Sequence, residues 1–122
     1  AKAVKEYDPK LKLMGLSNQN LVKAGKETGL EVRHEVFADR AYEDDGTLVS
    51  RRKEGAMITD TDEAVKRVVK MIKENKVESI DGNLIDIQAD SICVHGDGEK
   101  ALDFIKEIRK AFEENDIRIE TM

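Results

Sequence analysis

The sequence predicts an α/β fold built from parallel βα units, and three observations predict it. Apolar or alternating runs at residues 11–16, 30–37 and 91–94 have the length and pattern of strands. Stretches with apolar residues at helical spacing separate them, and strands that alternate with helices pair in parallel through right-handed crossovers. The chain has 122 residues, 39% of them hydrophobic, so one α/β domain over residues 1–122 can bury somewhat under ~70% of its unfolded surface.

Taken in order, Ala3, Val4 and Tyr7 fall at helical spacing, and Asp8-Pro9 ends that helix because the residue before a proline is driven out of the helical region. Residues 11–16 form a short buried strand. Ser17-Asn18-Gln19-Asn20 offers caps for a helix carrying Leu21, Val22 and Ala24, which Gly29 closes. Residues 30–37 alternate, with Leu30, Val32, His34 and Val36 on one face and Glu31, Arg33, Glu35 and Phe37 on the other. From residue 38 to 53 the chain is polar, with a turn at Asp44-Asp45-Gly46 and a short strand at residues 47–49. A connection of this length is disproportionately functional.

Thr59-Asp60-Thr61-Asp62 opens a helix in capping-box style, with Ala64, Val65, Val68, Val69 and Ile72 as its buried stripe. Residues 77–87 read as a hairpin turning at Asp81-Gly82. A third core strand at 91–94 runs through His95-Gly96-Asp97-Gly98 into a helix striped by Leu102, Ile105, Ile108 and Phe112. Asn115-Asp116 ends that helix, and residues 117–119 form a last strand. A parallel sheet rarely begins with the tail of a helix, so the pattern predicts a piece of something larger.

Composition narrows the function classes. Twenty-one Lys and Arg face 26 Asp and Glu, a net charge of −5, which disfavours a basic nucleic-acid surface. No run approaches a membrane span, and the first residues lack the apolar core of a signal peptide, so a cytoplasmic protein is expected. Cys93 is the sole cysteine, which excludes an internal disulfide and a thiolate cluster; no His-rich metal set is visible, and the thiol reads as a small buried hydrophobe.

In parallel α/β folds ligands gather where strands end and lead into helices. Two such loops are rich in reactive groups, Glu35-Val36-Phe37-Ala38-Asp39-Arg40 and His95-Gly96-Asp97-Gly98. Asp39 is a base or water-orienting carboxylate, or else half of a local pair with Arg40 that braces the loop. Arg40 presents a fork of donors suited to a carboxylate or phosphate. Glu35 points to solvent in a sandwich and inward in a barrel. His95 is a proton shuttle or a structural histidine, and Asp97 a rim carboxylate or a helix cap. Arg51, Arg52 and Lys53 form an anion-binding cluster or a solvated loop edge.

These segments resemble the LamB/YcsF family. The likeness rests on Leu13-Met14-Gly15-Leu16 followed by Leu21-Val22-Lys23-Ala24-Gly25-Lys26, then Glu35 to Arg40, Asp45-Gly46-Thr47-Leu48-Val49 with Arg51, and Val94-His95-Gly96-Asp97-Gly98, in that order over about residues 1–119. The resemblance implies a TIM-like β/α barrel of about the usual ~250 residues, of which this chain is the C-terminal half. It also implies an ATP-dependent opening of 5-oxo-L-proline to L-glutamate, performed together with 5-oxoprolinase subunits B and C. On that resemblance Asp39, His95 and Asp97 are catalytic, and Arg40, Arg51 and Glu35 bind substrate. Arg40 or Arg51 holds a carboxylate or phosphate, and Asp39 or His95 handles protons.

ATP enters only through the family, since no nucleotide motif is visible in this chain. The family's opening aspartate-leucine-asparagine strand, its cysteine-glycine-phenylalanine-histidine block and its lysine-proline-histidine-glycine strand do not occur here, and they would carry much of the site. The chain alone is therefore expected to be inactive. Two other readings stand beside this one. The first is a non-catalytic half-barrel module that docks onto a second copy or another subunit. The second is a hydrolase of another small cyclic amide or an amidated sugar.

Overall fold

The computed structural model describes residues 1–94 and 101–120. Its elements are α1 (Lys2–Tyr7), β1 (Lys12–Leu16), α2 (Asn20–Glu27), β2 (Glu31–Phe37), α3 (Thr61–Glu74), β3 (Lys76–Glu78), β4 (Leu84–Asp86), β5 (Ser91–Cys93) and α4 (Ala101–Glu114). Strands β1, β2 and β5 form a parallel three-stranded sheet with β2 in the middle, and β3 and β4 form an antiparallel hairpin. The expected alternation of strands and helices is therefore present.

Helices cover one face of the sheet. On β2 the alternation of the sequence becomes an alternation of burial: His34 and Val36 are buried, whereas Arg33, Glu35 and Phe37 are half-buried. Val36 packs with Tyr42, Met71, Val77 and Ile87, and Ala38, one step further along the same face, packs with Val68, Ile108 and Phe112. Gly25 lets α2 lie close to the strands, since a Cβ there would stand 2.7 Å from Val32 Cγ1 and 2.8 Å from Leu13 Cδ2. Asp60 caps α3 by accepting from the N–H groups of Asp62 and Glu63, as the capping signal in the sequence predicts. The hairpin turns with Gly82 at φ +86°.

Four expectations need correction. Residues 117–119 make no strand: Ile117 packs on the α3–α4 core, while Ile119 is 56% exposed. A cleft of about 520 Å³, lined by Asp90, Ser91, Ile92 and Ile117 to Glu120, lies between this segment and β5, so no ladder forms. The strand expected at residues 47–49 is a single bridge, Tyr42 to Leu48: the turn with Gly46 at φ +85° closes it at one end, and at the other Arg40 bridges Met57 and the Ala41 N–H goes to the Ala56 carbonyl. The α4 stripe turns away from Leu102, which is 63% exposed, and buries Ile108 and Phe112. Ser17 does not cap α2; its hydroxyl accepts from the Gln88 N–H at 2.9 Å and ties the end of β1 to the segment before β5.

His34 makes a similar long-range tie. Its Nδ1 accepts from the Asn18 N–H at 3.1 Å, its own N–H donates to Asp90 Oδ2 at 2.8 Å, and its carbonyl accepts from the Asp90 N–H at 2.9 Å. An accepting Nδ1 requires the neutral ring. Burial depresses the His34 pKa; Asp90 opposes the shift and Lys26 adds to it.

Two outcomes follow from this packing. Gly25→Ala gains ~1 kcal/mol of helix propensity but overpacks against the β-branched Val32, a cost of ~1–3 kcal/mol, so the midpoint of denaturant unfolding should fall. Because the folded His34 binds its proton more weakly than the unfolded one, the stability it contributes is complete above pH 6.5 and is lost as pH drops from there toward the depressed folded pKa. Denaturant titrations between neutral pH and pH 5 should show that loss in the native chain, with a shallower slope in His34→Gln.

Candidate functional site

Register sets the C-terminal ends of β2 and β5 side by side, and the first of the two reactive loops follows β2. Glu35 pairs with Ser91 and Phe37 with Cys93, so the chain leaves β2 and β5 side by side at their C-terminal ends. Asp39 follows Phe37 by the same step as His95 follows Cys93. Burial raises the Cys93 thiol pKa, and the carboxylates of Glu35 and Asp39 raise it further, so each of them acts on the thiol. Tyr42 is completely buried and its phenol is pushed up to about 12, chiefly by burial. Its oxygen accepts the Phe37 N–H at 2.9 Å, and Arg67, Glu35 and Cys93 all act on it.

The backbone around Asp39 is fastened from several sides. The Ala38 N–H donates to the Cys93 carbonyl at 3.2 Å, the Ile58 N–H to the Asp39 carbonyl at 2.9 Å and the Ala41 N–H to the Ala56 carbonyl at 2.8 Å. Arg67 Nη1 reaches the Ala38 carbonyl and Nη2 the Arg40 carbonyl, both at 3.0 Å. Farther along the loop, Asp44 accepts from the Ser79 hydroxyl and the Asn83 amide, which hold its carboxyl below the usual range and tie the loop to the hairpin. Asp44 and Asp45 are thus turn-forming groups; among the described residues no cluster of three or more His, Cys, Asp or Glu is placed to hold a metal ion.

The structure treats the predicted site residues unequally. Glu35 and Asp39 are half-buried and share the rim with Cys93. Arg40 donates from Nη2 to the Val49 carbonyl at 2.6 Å, and its Nε is buried without a hydrogen-bond partner. Arg51 is exposed on the turn closed by the bond from the Lys53 N–H to the Ser50 carbonyl. His95 and Asp97 lie outside the described residues. Cys93 is half-exposed rather than buried, and its raised pKa keeps it a thiol at neutral pH.

Tyr42 and Arg67 were not legible as site residues. Arg67 had a signal: it stands three residues after Ala64 and four before Met71, both buried, so it is a cation on the inner stripe of α3. A cleft of about 670 Å³ also has Arg67 in its wall, with Lys66, Lys70, Asp60, Glu63 and Glu78. Neither Glu35 nor Asp39 borders it, and its acidic and basic groups offset one another, so the candidate chemistry does not sit there.

Known proteins resemble this chain in sequence and in fold. The chain is 59% identical over 114 residues to the 5-oxoprolinase A subunit of Clostridium beijerinckii, covering 93% of this chain and 45% of that protein. It is 53% identical over 122 residues to the protein of the same name from Alkaliphilus metalliredigens, covering all of this chain and 48% of that one. The crystal structure of a lactam utilization protein from Thermus thermophilus superposes with a TM-score of 0.89 at 34% identity, over 99% of this chain and 48% of the other. The chain thus spans about half the length of the curated relatives it matches. The LamB/YcsF family model matches residues 1–122, and the chain belongs to the LamB/YcsF family.

Proposed function

We propose that this chain is the C-terminal half of a TIM-like barrel that opens 5-oxo-L-proline to L-glutamate at the expense of ATP, as part of a cytoplasmic complex with 5-oxoprolinase subunits B and C. The observation that carries the reading is the rim itself. Glu35 and Asp39 stand at the C-terminal end of β2, beside the end of its parallel neighbour β5, in a chain whose full length aligns with a protein named as the A subunit of 5-oxoprolinase.

Ring opening adds water across the lactam C–N bond: the carbonyl carbon takes the hydroxyl and the nitrogen takes a proton. One group must accept a proton from water and another must supply one to the leaving nitrogen. Asp39 serves as the acceptor in this reading, with Glu35 on the strand that leads to it, and His95 and Asp97, outside the described residues, are assigned to the same chemistry by the family resemblance. Arg40 or Arg51 holds a carboxylate or phosphate. Arg51 is exposed and so open to an anion, whereas the Arg40 guanidinium donates to the Val49 carbonyl.

ATP supplies the driving force, but the described residues do not make a cradle for its phosphates. The two guanidinium groups nearest the rim, Arg40 and Arg67, face main-chain carbonyls, so no ATP contact is assigned to them.

The test combines this chain with the polypeptide that supplies the other half and with subunits B and C, and measures ATP-dependent glutamate release. Asp39→Asn and His95→Asn should each lower turnover on the order of 10²–10⁴-fold, the range of a general acid or base. Turnover that survives both substitutions would overturn the assignment of the rim. Activity on other lactams but not on 5-oxo-L-proline would move the substrate to another cyclic amide.

A second reading, a docking module, draws on the three-stranded sheet, in which β1 and β5 each pair on one side only and Arg33, Glu35 and Phe37 lie half-buried on the face away from the helices. Open edges favour association. Gel filtration should show the isolated chain as a dimer or larger species; a stable monomer would count against self-association.

A further inference from the structure

A guanidinium withdrawn from water is costly unless its donors are used, and the fixed spacing of its fork ties together whatever it binds. Arg67 lies on the inner stripe of α3, and burial lowers its pKa while Tyr42, Glu63 and Asp39 act the other way. Among the described residues no carboxylate is hydrogen-bonded to its two Nη atoms. They bond, both at 3.0 Å, the carbonyls of Ala38 and Arg40, the residues on either side of Asp39. The Ile58 N–H takes the Asp39 carbonyl between them at 2.9 Å. Three successive carbonyls just beyond β2 are thus held by groups from outside that strand.

We propose that Arg67 is a positioning residue: by spanning the two peptide carbonyls that flank Asp39, it fixes the backbone there and aims the Asp39 carboxylate at the rim. The proposal rests on the reading of Asp39 as the proton acceptor. It assigns Arg67 no contact with substrate. It also separates Arg67 from lysine in function, because an ammonium is a single point of charge and cannot hold two carbonyls at a set separation.

The experiment uses the assembled complex and compares Arg67→Lys and Arg67→Met with Asp39→Asn, reading kcat and KM separately beside the thermal midpoint. A displaced carboxylate weakens the chemical step more than binding, so Arg67→Lys and Arg67→Met should lower kcat on the order of 10–100-fold with KM little changed. Arg67→Lys should recover midpoint without recovering kcat. The ¹³C carboxyl resonance of Asp39 in the isolated chain should move in Arg67→Lys, whether or not the complex turns over. If Arg67→Met does not fold, Arg67→Lys and the resonance carry the test.

An Arg67→Lys protein with unchanged kcat and an unmoved Asp39 resonance would overturn the proposal. Loss of midpoint with full kcat per folded molecule would do the same, and would leave Arg67 a structural residue. Should Asp39→Asn keep full activity, the rim assignment itself falls. An inactive Asp39→Asn beside a fully active Arg67→Lys rejects Arg67 alone.

Discussion

The structure depends on the position of β2 between β1 and β5. A central parallel strand is hydrogen-bonded on both sides, so its register is set twice, by Leu13 to Val32 on one side and by Phe37 to Cys93 on the other. A slip of one residue would exchange its two faces. Val36 and Ala38 would leave the apolar contacts they make with Met71, Val68 and Phe112, and Glu35 would enter them. Burying an unpaired carboxylate costs far more than any single ladder bond returns. The apolar face therefore fixes where Glu35 and Asp39 stand, although neither contributes to the core.

Beyond β2 the regular ladder stops and side chains take over its work. Residues 38–58 have isolated bridges only, from Arg40 to Met57 and from Tyr42 to Leu48. The Tyr42 phenol, the Arg67 guanidinium and the Asp44 carboxylate add side-chain ties to scattered main-chain bonds such as that from the Ile58 N–H to the Asp39 carbonyl. The buried Tyr42 phenol and the half-buried Arg67 guanidinium both find hydrogen-bond partners on the backbone. The result is a loop held as firmly as a strand but free of the extended conformation a strand requires. That combination suits a segment which must present a carboxylate at a fixed place.

Much of this was legible in the sequence, for identifiable reasons. The alternation at residues 30–37 and the Asp60 cap are local signals, and both survive in the structure because tertiary packing agrees with them. The strand at residues 117–119 fails for a non-local reason. An alternating apolar triplet needs a neighbour within ladder distance, and a cleft lies between it and β5. The partition of α4 fails similarly: Leu102 fits the helical period, but only the side bearing Ile108 and Phe112 meets α3. At the rim, Asp39 and Glu35 were visible as charges at a strand end. Arg67 was not, because its partners are carbonyls, which every residue has and no motif records.

The state of Cys93 narrows the chemistry the rim can perform. A thiol at a strand end beside two carboxylates suggests a nucleophile, but those carboxylates and burial move its pKa upward, away from thiolate. Attack by sulfur would need the reverse: a neighbouring cation or a helix N-terminus that stabilises the thiolate. Arg67, a half-buried cation of this region, lies instead on the Ala38 and Arg40 carbonyls. Tyr42, with its pKa pushed up to about 12, is no readier to act as a base. Among the described rim residues the groups suited to take a proton at neutral pH are therefore carboxylates, and the nucleophile they serve best is water. That accords with the proposed addition of water across a lactam bond, and under that proposal the orientation of Asp39, rather than the reactivity of Cys93, is the quantity on which the site turns.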